Sequence, residues 1–175
     1  RNQLTNRSVV ATVMSNLGLR QALEQADITL IEVPVGDRHV LAQLDAGVAI
    51  LGGEQSGHLI FRQHATTGDG LLTGVLLADL ILRSGRESSD IASKTMHQFP
   101  QILINIPVQS NPAQLPDRFS EEISGVEARL GDVGRVLVRA SGTEPVIRIM
   151  VEAVEEVTAQ READYLADII KRAPN

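Results

Sequence analysis

"SVVATVMSNLGLRQALEQADITLIEVPVGDRHVLAQLDAGVAIL", residues 8–51, is the stretch whose reading decides the fold. "SVVATVM" (8–14) is a β-branched run suited to a buried strand, and "LRQALEQA" (19–26) carries helical apolar spacing. "ITLIEV" (28–33) is a second strand, and "DRHVLAQLDA" (37–46) a second helix with Asp37 near its start. "VAIL" (48–51) and "HLIF" (58–61) then read as strands around a glycine-rich bend. Strands alternating with helices across short connections imply a layered α/β unit with parallel pairing. "TTGDGLLTGVLLADLILRSG" (66–85) adds a helix that Asp69 can cap and Gly85 can stop. That helix is apolar nearly all round, so the expectation is burial on most of its faces.

The character of the chain changes after Gly85. "RESSDIASKTMHQFPQ" (86–101) is polar and reads as a short helix plus linker. Strand "ILINIPV" (102–108), a Pro-rich loop, helix "PDRFSEEISGVEARLG" (116–131) and strand "GRVLVRA" (134–140) follow. Strand "VIRIMVEA" (146–153) and a charged helix from about Glu155 to Lys171 complete a small α+β unit. The expected division is an α/β domain over 1–98 and an α+β domain over 99–175. The sequence starts at Arg1 without a methionine and enters a strand almost at once, which suggests a piece cut from a longer chain, its first domain incomplete.

Composition narrows the possible functions. With 43% apolar but only 2% aromatic residues, the 175-residue chain must build its cores from aliphatic side chains. A formal charge of −6 argues against a nucleic-acid or anionic-membrane partner, while leaving room for a local phosphate site. The absence of cysteine excludes disulfides and thiolate chemistry and fits a reducing compartment. The longest apolar stretch is broken by Asp79 and falls short of the ~20 residues of a membrane span.

Two loops carry candidate chemistry. In "RVLVRASGTEPVIRIMVEA" (135–153) strands flank Ser141-Gly142-Thr143-Glu144-Pro145, with Arg139 before the loop and Arg148 after it. Hydroxyls, a glycine free to take φ > 0 and flanking guanidiniums can converge on a phosphate. The same residues also suit a plain hairpin turn with two solvated arginines. In "GGEQSGH" (52–58) Glu54, Ser56 and His58 alternate, so an extended backbone would aim them one way, toward a polyol such as a sugar ring. Ser56 is followed directly by Gly57, which is the wrong spacing for a hydrolase nucleophile elbow. Glu54 and His58 are two candidate metal ligands, too few for a site. Asp69 in "TGDG" lacks neighbouring carboxylates and is a helix cap rather than a metal ligand. Arg38 and His39 in "PVGDRHV" (34–40) stand at a strand-to-helix junction where an anionic substrate, or only solvent, could meet them.

"TVMSNLGL" (12–19), "VPVGDRHV" (33–40), "LGGEQSGH" (51–58), "TGDGLLT" (67–73) and "RASGTEPVIRIMVEA" (139–153) occur in the order of one family. Over essentially its whole length the chain resembles the carboxyl-terminal part of the bacterial phosphoglucosamine mutases, within the α-D-phosphohexomutase superfamily. The resemblance implies most of the third of four domains, followed by a fourth of TBP-like fold. It implies that Glu54, Ser56 and His58, with Arg38 nearby, contact the sugar. It likewise implies that Arg139, Ser141, Gly142 and Thr143, with Arg148 close by, hold the non-reacting phosphate. The implied reaction interconverts glucosamine 6-phosphate and glucosamine 1-phosphate through a bisphosphate, on the way to cell-wall precursors. The family's phosphoserine and its Mg²⁺ ligands lie in the first two domains and have no counterpart here. The expectations are therefore an enzyme as the full-length parent, and a fragment that is inactive alone and without metal or catalytic residues of its own. Its partners would be the phosphosugar and the missing amino-terminal domains, in the cytoplasm, with no nucleic acid or membrane. The alternatives are a phosphomannomutase or phosphoglucomutase of the same superfamily, which the "GEQSGH" string disfavours, and a non-catalytic sugar-phosphate-binding module.

Overall fold

Strand β1 (Ser8–Thr12) is the axis of the first half, pairing in parallel with β2 (Thr29–Val33) on one side and β3 (Leu51–Gly53) on the other. The hairpin partner β4 (Leu59–Phe61) lies antiparallel to β3, giving the order β2-β1-β3-β4. Helices α1 (Leu17–Gln25) and α2 (Asp37–Asp45) make the two crossovers that parallel neighbours require. The side chain of Asn16 caps α1 by accepting the Gly18 N–H at 3.0 Å. Helix α3 (Gly70–Ser84) follows β4, and α4 (Ser88–Thr95) follows α3. The computed structural model describes residues 4–108, 116–142 and 144–172. The chain divides into two compact units, Arg1–Gln98 and Phe99–Asn175.

One face of the first sheet is closed by α2. Val10, Val33, Val40, Leu44, Ala49 and Ile60 form a buried cluster there, each Val, Leu or Ile side chain worth roughly 1.5–3 kcal/mol when fully buried. Gly52 makes this closure possible. A Cβ at that position would stand 2.6 Å from Val40 Cγ1 and 3.0 Å from the Val10 carbonyl oxygen. The strand is therefore placed at Leu51–Gly53 rather than at 48–51, where side-chain patterning put it.

Helix α3 has the expected boundaries. Asp69 Oδ1 accepts the Leu72 N–H at 3.0 Å, and Gly85 ends the helix at φ 65°. Its surroundings differ from expectation. No α3 residue is buried, and Leu71 and Leu82 are 86% and 81% exposed. An apolar circumference states what a helix needs, while burial also depends on which elements lie against it.

The second unit is a three-stranded antiparallel sheet, order β5-β7-β6, with β5 (Gln101–Pro107), β6 (Gly134–Ala140) and β7 (Val146–Ala153). Helices α5 (Ser120–Leu130) and α6 (Glu156–Arg172) share its core. Ile147, Ile149 and Val151 point into that core with Val126, Ala159, Ala163 and Leu166. The first turn of the helix expected over 116–131 is a 3-10 turn, Pro116–Phe119. Most of the expected Pro-rich loop lies outside the described residues. On α6 the buried residues Ala159, Glu162, Ala163, Leu166, Ala167 and Ile170 follow one helical stripe. Glu162 is tolerated within it because Arg129 Nη2 reaches its carboxylate at 2.6 Å and Arg161 Nη2 at 3.0 Å. Both contacts hold its pKa below the ordinary value, Arg129 first.

Candidate functional site

The bend in the first unit is built by the β3–β4 hairpin. Gly57 N–H donates to the Glu54 carbonyl at 3.1 Å and Glu54 N–H to the His58 carbonyl at 3.0 Å, with Gly57 at φ 96°. Glu54, Ser56 and His58 do converge, but through this turn rather than by alternation along a strand. Ser56 Oγ donates to Glu54 Oε1 at 2.7 Å. With its proton on Nδ1, His58 donates to Glu54 Oε1 at 3.0 Å and to Ser56 Oγ at 3.0 Å. Nε2 then carries no proton and takes no part in this triad.

The second carboxylate oxygen, Oε2, accepts the Gly36 N–H at 3.2 Å. Gly36 precedes α2 and adopts φ 123°, a conformation that favours glycine. Sequence reasoning overlooked this contact, although the glycine in "PVGDRHV" was the available signal. The Glu54 side chain is 10% exposed and His58 56%, so the carboxylate is a sunken acceptor beneath a surface imidazole. The Ser56 hydroxyl is the chief cause holding the Glu54 carboxyl below its ordinary 4.5, against the opposing effect of burial; His58 and Gly36 reinforce it. Glu54 is therefore an ionised hydrogen-bond acceptor at neutral pH and a poor general acid.

Arg38 lies in the first turn of α2, exposed, with Nε donating to His39 Nε2 at 3.3 Å. The Gly36–Glu54 bond brings the start of that helix against the bend. The other two glycines of the motif have packing roles. Gly52 admits α2, and a Cβ at Gly53 would meet Leu59 Cδ2 at 2.5 Å and the His58 carbonyl oxygen at 2.7 Å.

In the second unit, β6 and β7 place Arg139 directly opposite Arg148, on the face away from the helices. Arg148 Nη2 is held by Glu144 at 2.7 Å. The Nε atoms of both arginines are buried without a hydrogen-bond partner. Burial first, and the charge of Arg148 second, push the Arg139 pKa down. Two like charges facing each other with unspent donors are costly unless something anionic joins them.

The Ser141 N–H donates to the Val146 carbonyl at 2.9 Å, closing the loop base, and Ser141 is 8% exposed. Gly142 is exposed, its φ is not positive, and an added Cβ would meet nothing within 4 Å. The glycine freedom expected at this loop is therefore unused. Thr143 lies outside the described residues. Asn105 on β5 pairs with Arg148 across the sheet, a neighbour that strand patterning alone did not single out.

A metal does not fit these residues. Among the described residues no group of three or more His, Cys, Asp or Glu is placed to hold one. The Asp69 carboxylate caps α3, and Glu54 is engaged by three donors. No helix of the described residues is long and apolar enough to cross a membrane.

The chain is thus an α/β domain followed by a small α+β domain, with a polar hairpin bend in the first and paired arginines in the second. The family models agree. "Phosphoglucomutase/phosphomannomutase, alpha/beta/alpha domain III" matches residues 1–99, and the C-terminal domain model of the same family matches 103–169. The chain belongs to the phosphoglucomutase/phosphomannomutase family. It is 50% identical over 171 residues to a phosphoglucosamine mutase of Thermobifida fusca, covering 97% of this chain and 38% of the relative. A phosphoglucosamine mutase of Clavibacter sepedonicus is 48% identical over 171 residues, with 97% and 38% covered. The chain thus spans well under half the length of these relatives. Among solved structures, an N-acetylglucosamine-phosphate mutase in its substrate complex shares the fold at TM-score 0.79 and 20% identity, covering 93% of this chain and 38% of that one. The Aspergillus fumigatus N-acetylphosphoglucosamine mutase with GlcNAc-6P and magnesium gives TM-score 0.80 at 18% identity, with 93% and 38% covered.

Proposed function

We propose that this chain is the substrate-binding portion of a phosphoglucosamine mutase, which interconverts glucosamine 6-phosphate and glucosamine 1-phosphate through a bisphosphate. The observation that carries the reading is the Arg139–Arg148 pair, opposed across two strands with both Nε atoms buried and unspent. A phosphate dianion neutralises both charges and accepts from both forks. Ser141 and Gly142 supply the loop beside them, and Thr143 belongs to the same motif.

In the first unit Glu54 and Ser56 receive sugar hydroxyls, while His58 offers Nε2 and Arg38 adds a surface cation. The naming of relatives at 44–50% identity supports glucosamine over mannose or glucose. A mutase of this kind needs a fixed anchor for the unreactive phosphate and hydroxyl contacts that tolerate a turned-over ring. The residues present here bind and orient. Phosphoryl donation and Mg²⁺ belong to the part of the relatives that this chain does not span, so the chain alone does not turn over. A cytoplasmic site of action belongs to the same reading.

The test is the activity of the full-length polypeptide with glucosamine 6-phosphate beside mannose and glucose phosphates. A preference for the glucosamine substrate, and a KM raised for every phosphosugar when Arg139 becomes Ala, are the expected results. Equal use of all three sugars, or an unchanged KM in the variant, contradicts the proposal.

A further inference from the structure

A carboxylate stands beside the paired arginines, where its charge works against any incoming anion. Glu144 lies in the loop between β6 and β7, and its Oε2 accepts from Arg148 Nη2 at 2.7 Å. The Glu144 side chain is 59% exposed and that of Arg148 34%, and an ion pair this open to water contributes little to stability. The backbone that carries Glu144 is nevertheless pinned. Ser141 N–H donates to the Val146 carbonyl at 2.9 Å, Val146 N–H to the Glu144 carbonyl at 2.8 Å, and Val108 N–H to the Pro145 carbonyl at 2.9 Å. Pro145 further narrows the backbone choices of the glutamate before it. A costly charge on a fixed support, with little to gain in stability, calls for a role at the site itself.

We propose that Glu144 is a positioning residue for the phosphate site: it holds the Arg148 guanidinium by Nη2, keeps the remaining donors set for the anion, and does not itself touch the substrate. The inference rests on the phosphosugar reading and deepens it. A long side chain left to itself samples many rotamers, and ordering it on binding subtracts from affinity. Arg148 has a second reason to swing away, since it faces the like charge of Arg139 across two strands. The Glu144 contact opposes both tendencies before any ligand arrives. It spends Nη2 alone, while Nε keeps no partner. The repulsion that the carboxylate adds is weakened by its exposure, so the gain in order outweighs it.

Two neutral substitutions separate the hold from the charge. Glu144→Gln and Glu144→Ala both remove the repulsion, but only glutamine keeps an oxygen that can accept from Nη2. Inorganic phosphate is titrated into the ¹⁵N-labelled 175-residue chain and its variants at fixed ionic strength. The Kd is read from the Ser141 and Gly142 amides, and the Arg148 Nε–H resonance is followed in the same spectra. Glu144→Ala should bind phosphate about fivefold more weakly than Glu144→Gln, the cost of ordering one long side chain, and its Arg148 Nε–H should exchange faster with water. Glu144→Gln should bind at least as tightly as wild type and keep the wild-type Nε–H signal. Glu144 is exposed in a loop, so both variants should retain the wild-type circular dichroism. Equal affinities in the two neutral variants, or an Nε–H signal that Glu144→Ala leaves unchanged, overturn the proposal while the phosphate reading stands. A wild-type chain that ignores phosphate removes that reading, and the proposal with it.

Discussion

Replacing Arg139 by Met should stabilise the second unit while destroying its response to phosphate. Methionine keeps an unbranched apolar stem against β7 but removes the charge and the buried Nε. A like-charged pair directly opposed on two strands costs about 0.2–1 kcal/mol. An unpartnered buried donor costs about 1–3 kcal/mol. Relief of both, less the hydration of the part-exposed guanidinium, leaves a gain of about 1–2 kcal/mol. For a domain of 60–100 residues that raises the melting temperature by about 4–8 °C per kcal/mol. Scanning calorimetry in phosphate-free buffer measures the first effect. A phosphate titration measures the second, because ligand at ten times its Kd adds about 1.4 kcal/mol to a protein that binds it. Wild type should gain with phosphate and the variant should not. A variant less stable than wild type, or one equally stabilised by phosphate, would refute the reasoning.

Gly52→Ala should cost about 1–3 kcal/mol through overpacking against Val40, measured as a lower denaturation midpoint of the first unit. The Glu54 carboxyl lies below its ordinary 4.5, so its contribution is fully present above that pH and lost as pH falls through the lower folded value. Acid unfolding of the first unit should therefore be shallower below pH 4.5 in Glu54→Gln than in wild type. In the full-length enzyme Glu54→Gln should lower kcat/KM by about one to two orders of magnitude without changing Mg²⁺ affinity. The chain alone, given glucosamine 6-phosphate, Mg²⁺ and a sugar bisphosphate, should form no 1-phosphate above a buffer blank.

The strands that side chains announce were legible from sequence: β1, β2, β6 and β7 through their β-branched runs. Strand β3 was less so, because two of its three residues are glycines that carry no pattern, and only packing against Val40 explains them. The bend residues Glu54, Ser56 and His58 were visible as a group, yet their convergence comes from the Glu54–Gly57 turn, and the Gly36 donor lies 18 residues away in sequence. Helix α3 was legible in its caps and its length, but a sequence cannot state which surfaces meet it. Buried Glu162 follows the same logic, since Arg129 reaches it from another helix.

The central claim is that sugar hydroxyls are read by the bend of the first unit and phosphate by the hairpin of the second. Titrating the ¹⁵N-labelled chain in parallel with inorganic phosphate and with glucosamine 6-phosphate, and following each backbone amide, tests it most directly. Phosphate alone should move the amides of Ser141, Gly142 and Arg148, leaving Gly36, Glu54 and Gly57 still, whereas glucosamine 6-phosphate should move both sets. Phosphate shifts confined to the bend around Glu54, or a hairpin that responds to neither ligand, would contradict the account.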